Sequence, residues 1–172
     1  MKQVVMLFCV AAMAALVGCA PSRHSGVDPT FQPYLDEFTR DMVVYNAKGA
    51  VDVGIQFGDI SAVAQVPNGE YKAFCGAGTG QVTVDRVIWA QMSELDRKMT
   101  IYHELGHCVL RRGEHNNTEK PSMFGARSPI PVSIMNHIPP VSSDMSAAIE
   151  GPSVYEKELL AELFSINGNP AN

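Results

Sequence analysis

The spacing of apolar side chains after Pro33 predicts an amphipathic helix near the start of the chain. Proline is favoured in the first turn of a helix, and residues three or four positions apart share one helix face. This helix is predicted to end in the segment 46–49, which contains asparagine and glycine. Its apolar face is formed by Tyr34, Phe38, Met42 and Tyr45.

Short segments with apolar alternation or β-branched residues follow and predict four strands. They cover 51–57, 60–66, 71–74, and 82–84 continuing into 87–89. The glycine-rich segment 76–80 lacks the following lysine and helix of a phosphate-binding loop, so it is predicted to be a turn.

Two further helices are predicted in the second half of the chain. The first follows a capping box at Ser93 and Asp96, covers 94–112, and stops at Gly113. The second covers 154–164 after a capping box at Ser153 and Glu156. Between them, 113–152 contains six of the eleven prolines and is predicted to be irregular.

The first nineteen residues resemble the leader of a bacterial lipoprotein. Lys2 provides a positive start, the segment 4–17 is almost entirely apolar, and Leu-Val-Gly precedes Cys19 as in a lipobox. The resemblance implies cleavage after a signal peptide at 1–18 and acylation of Cys19. A plain secretory signal is the alternative. Ala20, rather than aspartate, follows Cys19 and favours the outer membrane of a Gram-negative cell envelope.

Composition adds limits to the mature chain. The segment 19–30 is predicted to be a lipidated tether, and 31–172 a single domain. A net charge of −5 argues against a nucleic-acid partner. Of the four cysteines, Cys75 and Cys108 would remain as thiols in an oxidising compartment, where a disulfide is expected. Two separate buried thiols are the alternative.

An H-E-x-x-H sequence lies in the helix predicted at 94–112. His103 and His107 are four residues apart, so both imidazoles face the same side and can bind one zinc ion. Glu104 can act as general base toward a zinc-activated water that attacks a peptide carbonyl. A catalytic zinc needs a third protein ligand, and His115 is the candidate after Gly113. A ligand role for Glu114, Glu119, Glu150 or His137 remains open.

Two segments together resemble the metzincin clan of zinc peptidases. The first is the H-E-x-x-H helix, although Leu110 and Gly113 occupy the positions of the clan's glycine and third histidine. The second is Ser-Ile-Met at 133–135, which is similar to the clan's methionine turn and implies that Met135 lies beneath the metal ligands. The combination resembles that of small bacterial metzincin-like lipoproteins. The Glu-Leu-Phe sequence at 162–164 is also similar to the end of the last helix in such proteins.

The resemblance implies a small α+β zincin domain. Its mixed twisted sheet is accompanied by an N-terminal helix, a central zinc-binding helix and a C-terminal helix. His137 lies two residues after Met135, where some metzincins have a tyrosine that contacts zinc or the transition state. The resemblance therefore makes His137 a candidate auxiliary group. Alternatively, His137 replaces His115 as a ligand or only packs in the fold. Cys108 is either a fourth ligand or a partner of Cys75. Because adjacent helix positions diverge by about 100°, the disulfide is favoured.

The predicted function is a membrane-anchored zinc endopeptidase. It is expected to be a monomer, to act on peptide or protein substrates in the cell envelope, and to be held at the membrane by the lipid on Cys19. A non-catalytic zinc-containing binding lipoprotein with the same fold is the alternative. Glu104 favours the enzyme, because a structural zinc site does not need that carboxylate.

Overall fold

The computed structural model describes residues 26–60, 72–76, 78–123 and 129–165 of the 172-residue chain. The predicted signal peptide, Cys19 and the first part of the predicted tether lie outside these residues. So does the second predicted strand, apart from its first residue, Ile60. Within the described ranges, no helix is both long enough and apolar enough to cross a membrane.

A three-stranded mixed sheet forms the β part of the domain. Its strands are β1 (Gly54–Phe57), β2 (Ala73–Gly76) and β3 (Gln81–Val84), in the order β1-β3-β2. β3 is parallel to β1 and antiparallel to β2, with Ile55 opposite Val82 and Cys75 on the other side of Val82. β1 is shorter than the predicted strand at 51–57. A small α+β architecture with a mixed sheet is therefore confirmed.

The first helix, α1, covers Gln32–Val44 as the apolar spacing predicted. Asn46 has a positive φ of 53°, which turns the chain away after the helix. The apolar face of α1 packs on the helix that carries the H-E-x-x-H sequence. Phe38 meets Tyr102 edge-on, with ring centroids 5.2 Å apart, and the Tyr102 hydroxyl donates to the Asp41 carboxylate at 2.7 Å.

The segment predicted to extend the fourth strand through 87–89 is instead a short helix. This helix, α2, covers Arg86–Gln91. Asp85 is its N-cap, and the carboxylate accepts hydrogen bonds from the N–H groups of Val87 and Ile88 at 2.8 Å. A side-chain cap of this kind satisfies N–H groups that a helix start leaves unpaired, and here it outweighs the strand preference of Val-Ile-Trp.

The central helix, α3, covers Glu94–Cys108. Ser93 caps it by accepting from the N–H of Asp96 at 3.2 Å, as predicted. The helix ends four residues before the predicted end at 112, and Gly113 does not stop it. The chain turns at Arg111, whose φ is 60°, and the N–H of Arg112 then donates to the Gly106 carbonyl at 3.0 Å. An arginine thus holds a left-handed backbone conformation that glycine adopts more readily.

The segment predicted to be irregular, 113–152, contains three short elements. β4 (Glu119–Lys120) pairs antiparallel with β5 (Ile130–Pro131), and α4 covers Ser142–Ala147. The last helix, α5, covers Pro152–Leu163. The predicted capping box at Ser153 and Glu156 is wrong, because Gly151 is the N-cap and proline provides the first turn.

The core lies between α3 and the elements around it. α3 packs on β2 and β3 on one side and on α1 on another. Fully buried side chains in this core include Phe38, Ile55, Met99, Leu105 and Leu159. α3 is therefore held on several sides, which fixes the direction of the side chains that it presents to the remaining side.

Candidate metal centre

Three histidine side chains converge at the C-terminal half of α3. The Nε2 atom of His103 lies 3.2 Å from Nε2 of His107 and 3.3 Å from Nε2 of His115. Two nitrogens bound to one tetrahedral metal ion at bond lengths of 2.0–2.1 Å are about 3.3 Å apart. Each histidine offers one ring nitrogen as a ligand atom, and the three nitrogens lie within 4.8 Å of one another. The three histidines could therefore hold a metal ion.

The outer nitrogens of two of these rings are held by backbone carbonyls. Nδ1 of His103 lies 2.8 Å from the Ile134 carbonyl oxygen, and Nδ1 of His107 lies 2.5 Å from that of Arg112. A carbonyl only accepts, so each Nδ1 carries the proton and donates it. The Nε2 lone pairs are then directed inward, as metal ligation by neutral histidine requires.

His115 reaches the site from the loop after α3. The N–H of the next residue, Asn116, donates to the Met135 carbonyl at 2.8 Å, and Val132 N–H donates to the Thr118 carbonyl at 3.0 Å. The loop therefore runs beside the segment that carries the methionine. This pairing brings a residue twelve positions from His103 to the same point in space.

None of the alternative third ligands belongs to the group of side chains that could share one metal ion. Glu150 is engaged by the Lys120 ammonium, and Glu119 lies in the exposed part of β4. Neither these residues nor Glu114 belongs to the metal-binding group found among the described residues. His137 is also outside that group, although its ring meets His115 edge-on with centroids 5.2 Å apart.

Burial keeps the histidines neutral. Desolvation lowers the pKa of His103 to about 3, against the opposing hydrogen bond to Ile134. Desolvation also lowers the pKa of His107 and of His115. Neutral imidazole is the form that binds metals, so all three rings are in the binding form at neutral pH.

Glu104 is buried beside this cluster. Only 7% of the residue is exposed, and desolvation raises the pKa of its carboxyl to about 8, while the backbone N–H of Cys75 opposes the shift. A carboxyl in such surroundings can exchange a proton near neutral pH. A nearby metal cation would favour its charged form.

Met135 packs directly against α3 beneath the histidines. It is fully buried, and its N–H donates to Ser133 Oγ at 2.9 Å, which closes a tight turn. A Cβ placed on Gly106 would lie only 2.4 Å from the Met135 sulfur. The glycine between the two helix histidines therefore provides the space that the methionine side chain occupies.

A cleft of about 740 Å³ opens over the three histidines and Glu104. β2 forms one wall, and within the described residues this strand is at the edge of its sheet. His137 and Arg111 also line the cleft. The cleft gives a ligand access to the metal-binding group, the glutamate and one edge of the sheet at the same time.

Cys75 and Cys108 are joined at a disulfide distance, with Sγ atoms 2.06 Å apart. The bond links β2 to the last residue of α3, directly after His107. It agrees with the predicted pairing and leaves Cys108 unsuited to the alternative role of fourth ligand. The backbone N–H of Cys75 also donates to the Glu104 carboxylate, so one half of the disulfide contacts the buried glutamate.

The sequence interpretation missed the groups that support the histidines. The Arg112 and Ile134 carbonyls are backbone atoms, which no side-chain pattern can reveal. Glu162 is different, because it lies seven residues after Tyr155 and three after Leu159, on the buried side of α5. A carboxylate at such a position needs partners, and this spacing was the available signal.

Comparisons of the chain with protein-family models, curated proteins and solved structures found no match. The histidine geometry and the cleft around it therefore carry the functional argument.

Proposed function

We propose that this protein is a zinc-dependent endopeptidase with a metzincin-like site, anchored in a bacterial cell envelope by a lipid on Cys19. The convergence of three neutral imidazoles beside a buried glutamate is the observation that carries the proposal. Three neutral nitrogen ligands and an adjoining cleft suit a catalytic zinc, which keeps a position open for water or substrate. His103, His107 and His115 are the proposed ligands.

When bound, zinc would act as a Lewis acid that lowers the pKa of water and polarises a carbonyl. Glu104 is proposed to accept the proton of the attacking water and to pass it to the leaving amine. Its raised pKa suits both steps, because the carboxyl can bind and release a proton near neutral pH.

β2 is proposed to orient the substrate. An extended peptide can pair with the backbone of an edge strand, which aligns it by main-chain hydrogen bonds whatever its side chains are. β2 lines the cleft beside Glu104, so a peptide paired with it would pass the histidine cluster. His137 lines the same cleft and is proposed as an auxiliary group toward the reacting carbonyl.

Cleavage of an unfolded protein by the purified full chain in detergent tests the proposal. Wild type is expected to cleave, to stop when a chelator removes the metal, and to recover when zinc is returned. Glu104→Gln should keep zinc but lose activity by at least about 100-fold. Glu114→Gln, an exposed glutamate in the neighbouring loop, is the matched control and should behave as wild type.

Two results would overturn the proposal. Zinc binding without cleavage would favour a binding lipoprotein, and full turnover by Glu104→Gln would remove the general base. The anchor is tested separately by growth with a labelled fatty acid. Label is expected on wild type and lost in Cys19→Ser, whereas a label that persists would place the lipid elsewhere.

A further inference from the structure

The carboxylate of Glu162, near the end of α5, accepts hydrogen bonds from three residues in two segments around the metal-binding cluster, the loop after α3 and the Met135 turn. Oε1 accepts from Nη2 of Arg112 at 2.6 Å and from Nδ2 of Asn116 at 3.2 Å. Oε2 accepts from the hydroxyl of Ser133. One side chain on the last helix therefore joins segments that are separated by up to twenty-one positions in the sequence.

Each of these three partners lies one step from a histidine of the cluster. The Arg112 carbonyl accepts from Nδ1 of His107. Asn116 directly follows His115 in the chain. Ser133 directly precedes Ile134, and the carbonyl of that isoleucine accepts from Nδ1 of His103. The Glu162 carboxylate is thus connected to all three rings without contacting any of them.

The interaction with Arg112 is buried and ionic. The Arg112 side chain is 7% exposed and the Glu162 side chain 23%. Nη1 of Arg112 also donates to the carbonyls of Glu162 and Leu163, at 2.8 and 3.0 Å. A cation is favoured at the C-terminal end of a helix, and a buried guanidinium requires its partner. The backbone at Arg112 is therefore held where its carbonyl can orient His107.

We propose that Glu162 is a positioning residue for the metal centre, and that docking of α5 through this carboxylate sets the spacing of the three ligands. The inference rests on the three-histidine site of the proposed function but not on peptidase activity. Loss of the carboxylate should weaken metal binding. Support around metal ligands typically changes metal affinity by 10-fold to 100-fold, and Glu162 lies one contact further out.

Metal binding by the full-length Glu162→Gln variant tests this directly. Its zinc dissociation constant, measured against a competing chelator, is expected to rise roughly 10-fold. The visible absorption spectrum of the Co²⁺-loaded protein should also change, because it reports ligand geometry. Glu158→Gln is the matched control, since Glu158 lies on the same helix but is exposed and paired with Lys120. Its affinity should stay within about twofold of wild type.

A purely structural role would give a different result. If Glu162→Gln lowers the melting temperature but keeps the zinc affinity and Co²⁺ spectrum of wild type, the proposal is overturned. Ser133→Ala removes one arm of the network in case Glu162→Gln does not fold. It should weaken zinc binding and alter the Co²⁺ spectrum, and wild-type values for both would equally overturn the proposal. Zinc binding without cleavage would affect only the peptidase proposal.

Discussion

The Met135 side chain packs directly against the backbone of Gly106 beneath the histidine cluster. The glycine lies between His103 and His107 in α3, and the methionine sulfur fills the position next to its Cα. The absence of a side chain in one residue is thus matched to the presence of a long, adaptable side chain in the other. This contact joins α3 to the turn whose Ile134 carbonyl orients His103.

Gly106→Ala is expected to destabilise the protein by about 1–3 kcal/mol, because the added methyl group would overlap the Met135 sulfur. The overlap outweighs the gain in helix propensity, which is at most about 1 kcal/mol. Urea unfolding of the metal-free protein measures the change. Gly113→Ala is the matched control, since a Cβ there meets nothing within 4 Å, and an equal loss in both variants would contradict the explanation.

His115→Ala should sharply lower the zinc content, because it removes one of three converging ligands. His137→Ala should keep one zinc per chain and lower turnover instead, since His137 lines the cleft outside the ligand group. Elemental analysis of both purified variants, combined with cleavage assays, distinguishes these roles. An unchanged zinc content in His115→Ala would return the third-ligand assignment to another residue.

The buried Glu104 gives the metal-free protein a pH dependence with a definite sign. Its pKa rises from 4.5 to about 8 on folding, so its contribution to stability is fully present below pH 4.5 and is lost as pH rises through 8. Between pH 5 and 8, the free energy of unfolding of wild type should therefore fall by roughly 3 kcal/mol relative to that of Glu104→Gln. Urea unfolding of both metal-free proteins across this range measures it. Parallel curves would show that the carboxyl titrates normally.

On the acid side, His103 has the opposite effect. Its folded pKa of about 3 lies below the ordinary 6.5, so the stability it contributes is present above pH 6.5 and is lost as pH falls through 3. Metal binding should accordingly release few protons from the histidines at pH 6. Calorimetric titration in buffers of different ionisation enthalpy counts those protons.

The Cys75–Cys108 bond closes a loop with a sequence separation of 33. Cys75→Ser/Cys108→Ser is expected to lower stability by about 3–4 kcal/mol through the chain entropy of the unfolded state. The oxidised wild type should be two hydrogens lighter than the reduced protein by intact mass. Two thiols that react with an alkylating reagent under denaturing, non-reducing conditions would exclude the bond.

Arg111 holds a left-handed backbone conformation that glycine adopts at lower cost. Arg111→Gly should therefore stabilise the metal-free protein by about 1 kcal/mol. Thermal or urea unfolding measures this gain. Leu110 itself has no positive φ, so Leu110→Gly should not stabilise the protein, and a similar gain there would contradict the role of backbone strain.

Local patterns were sufficient for much of the framework. The spacing of His103, Glu104 and His107 on one helix follows from the helical repeat alone, and the same repeat placed α1 and most of α5. The Ser93 cap and the mixed α+β composition also depend on short-range chemistry. Where two local preferences competed, as at 87–89, the strand pattern was wrong because the Asp85 cap stabilised a helix instead.

Long-range contacts determined the rest. The sequence alone left five candidates for the third metal ligand, with His115 preferred. The structure selects among them because the loop after α3 pairs with the Met135 turn, and sequence spacing does not reveal that pairing. The carbonyls that orient His103 and His107 are backbone atoms, and Glu162 reaches its partners in the loop after α3 and the Met135 turn only when α5 docks. The sequence by itself determined which side chains can bind a metal, whereas tertiary packing decided which of them share one point in space.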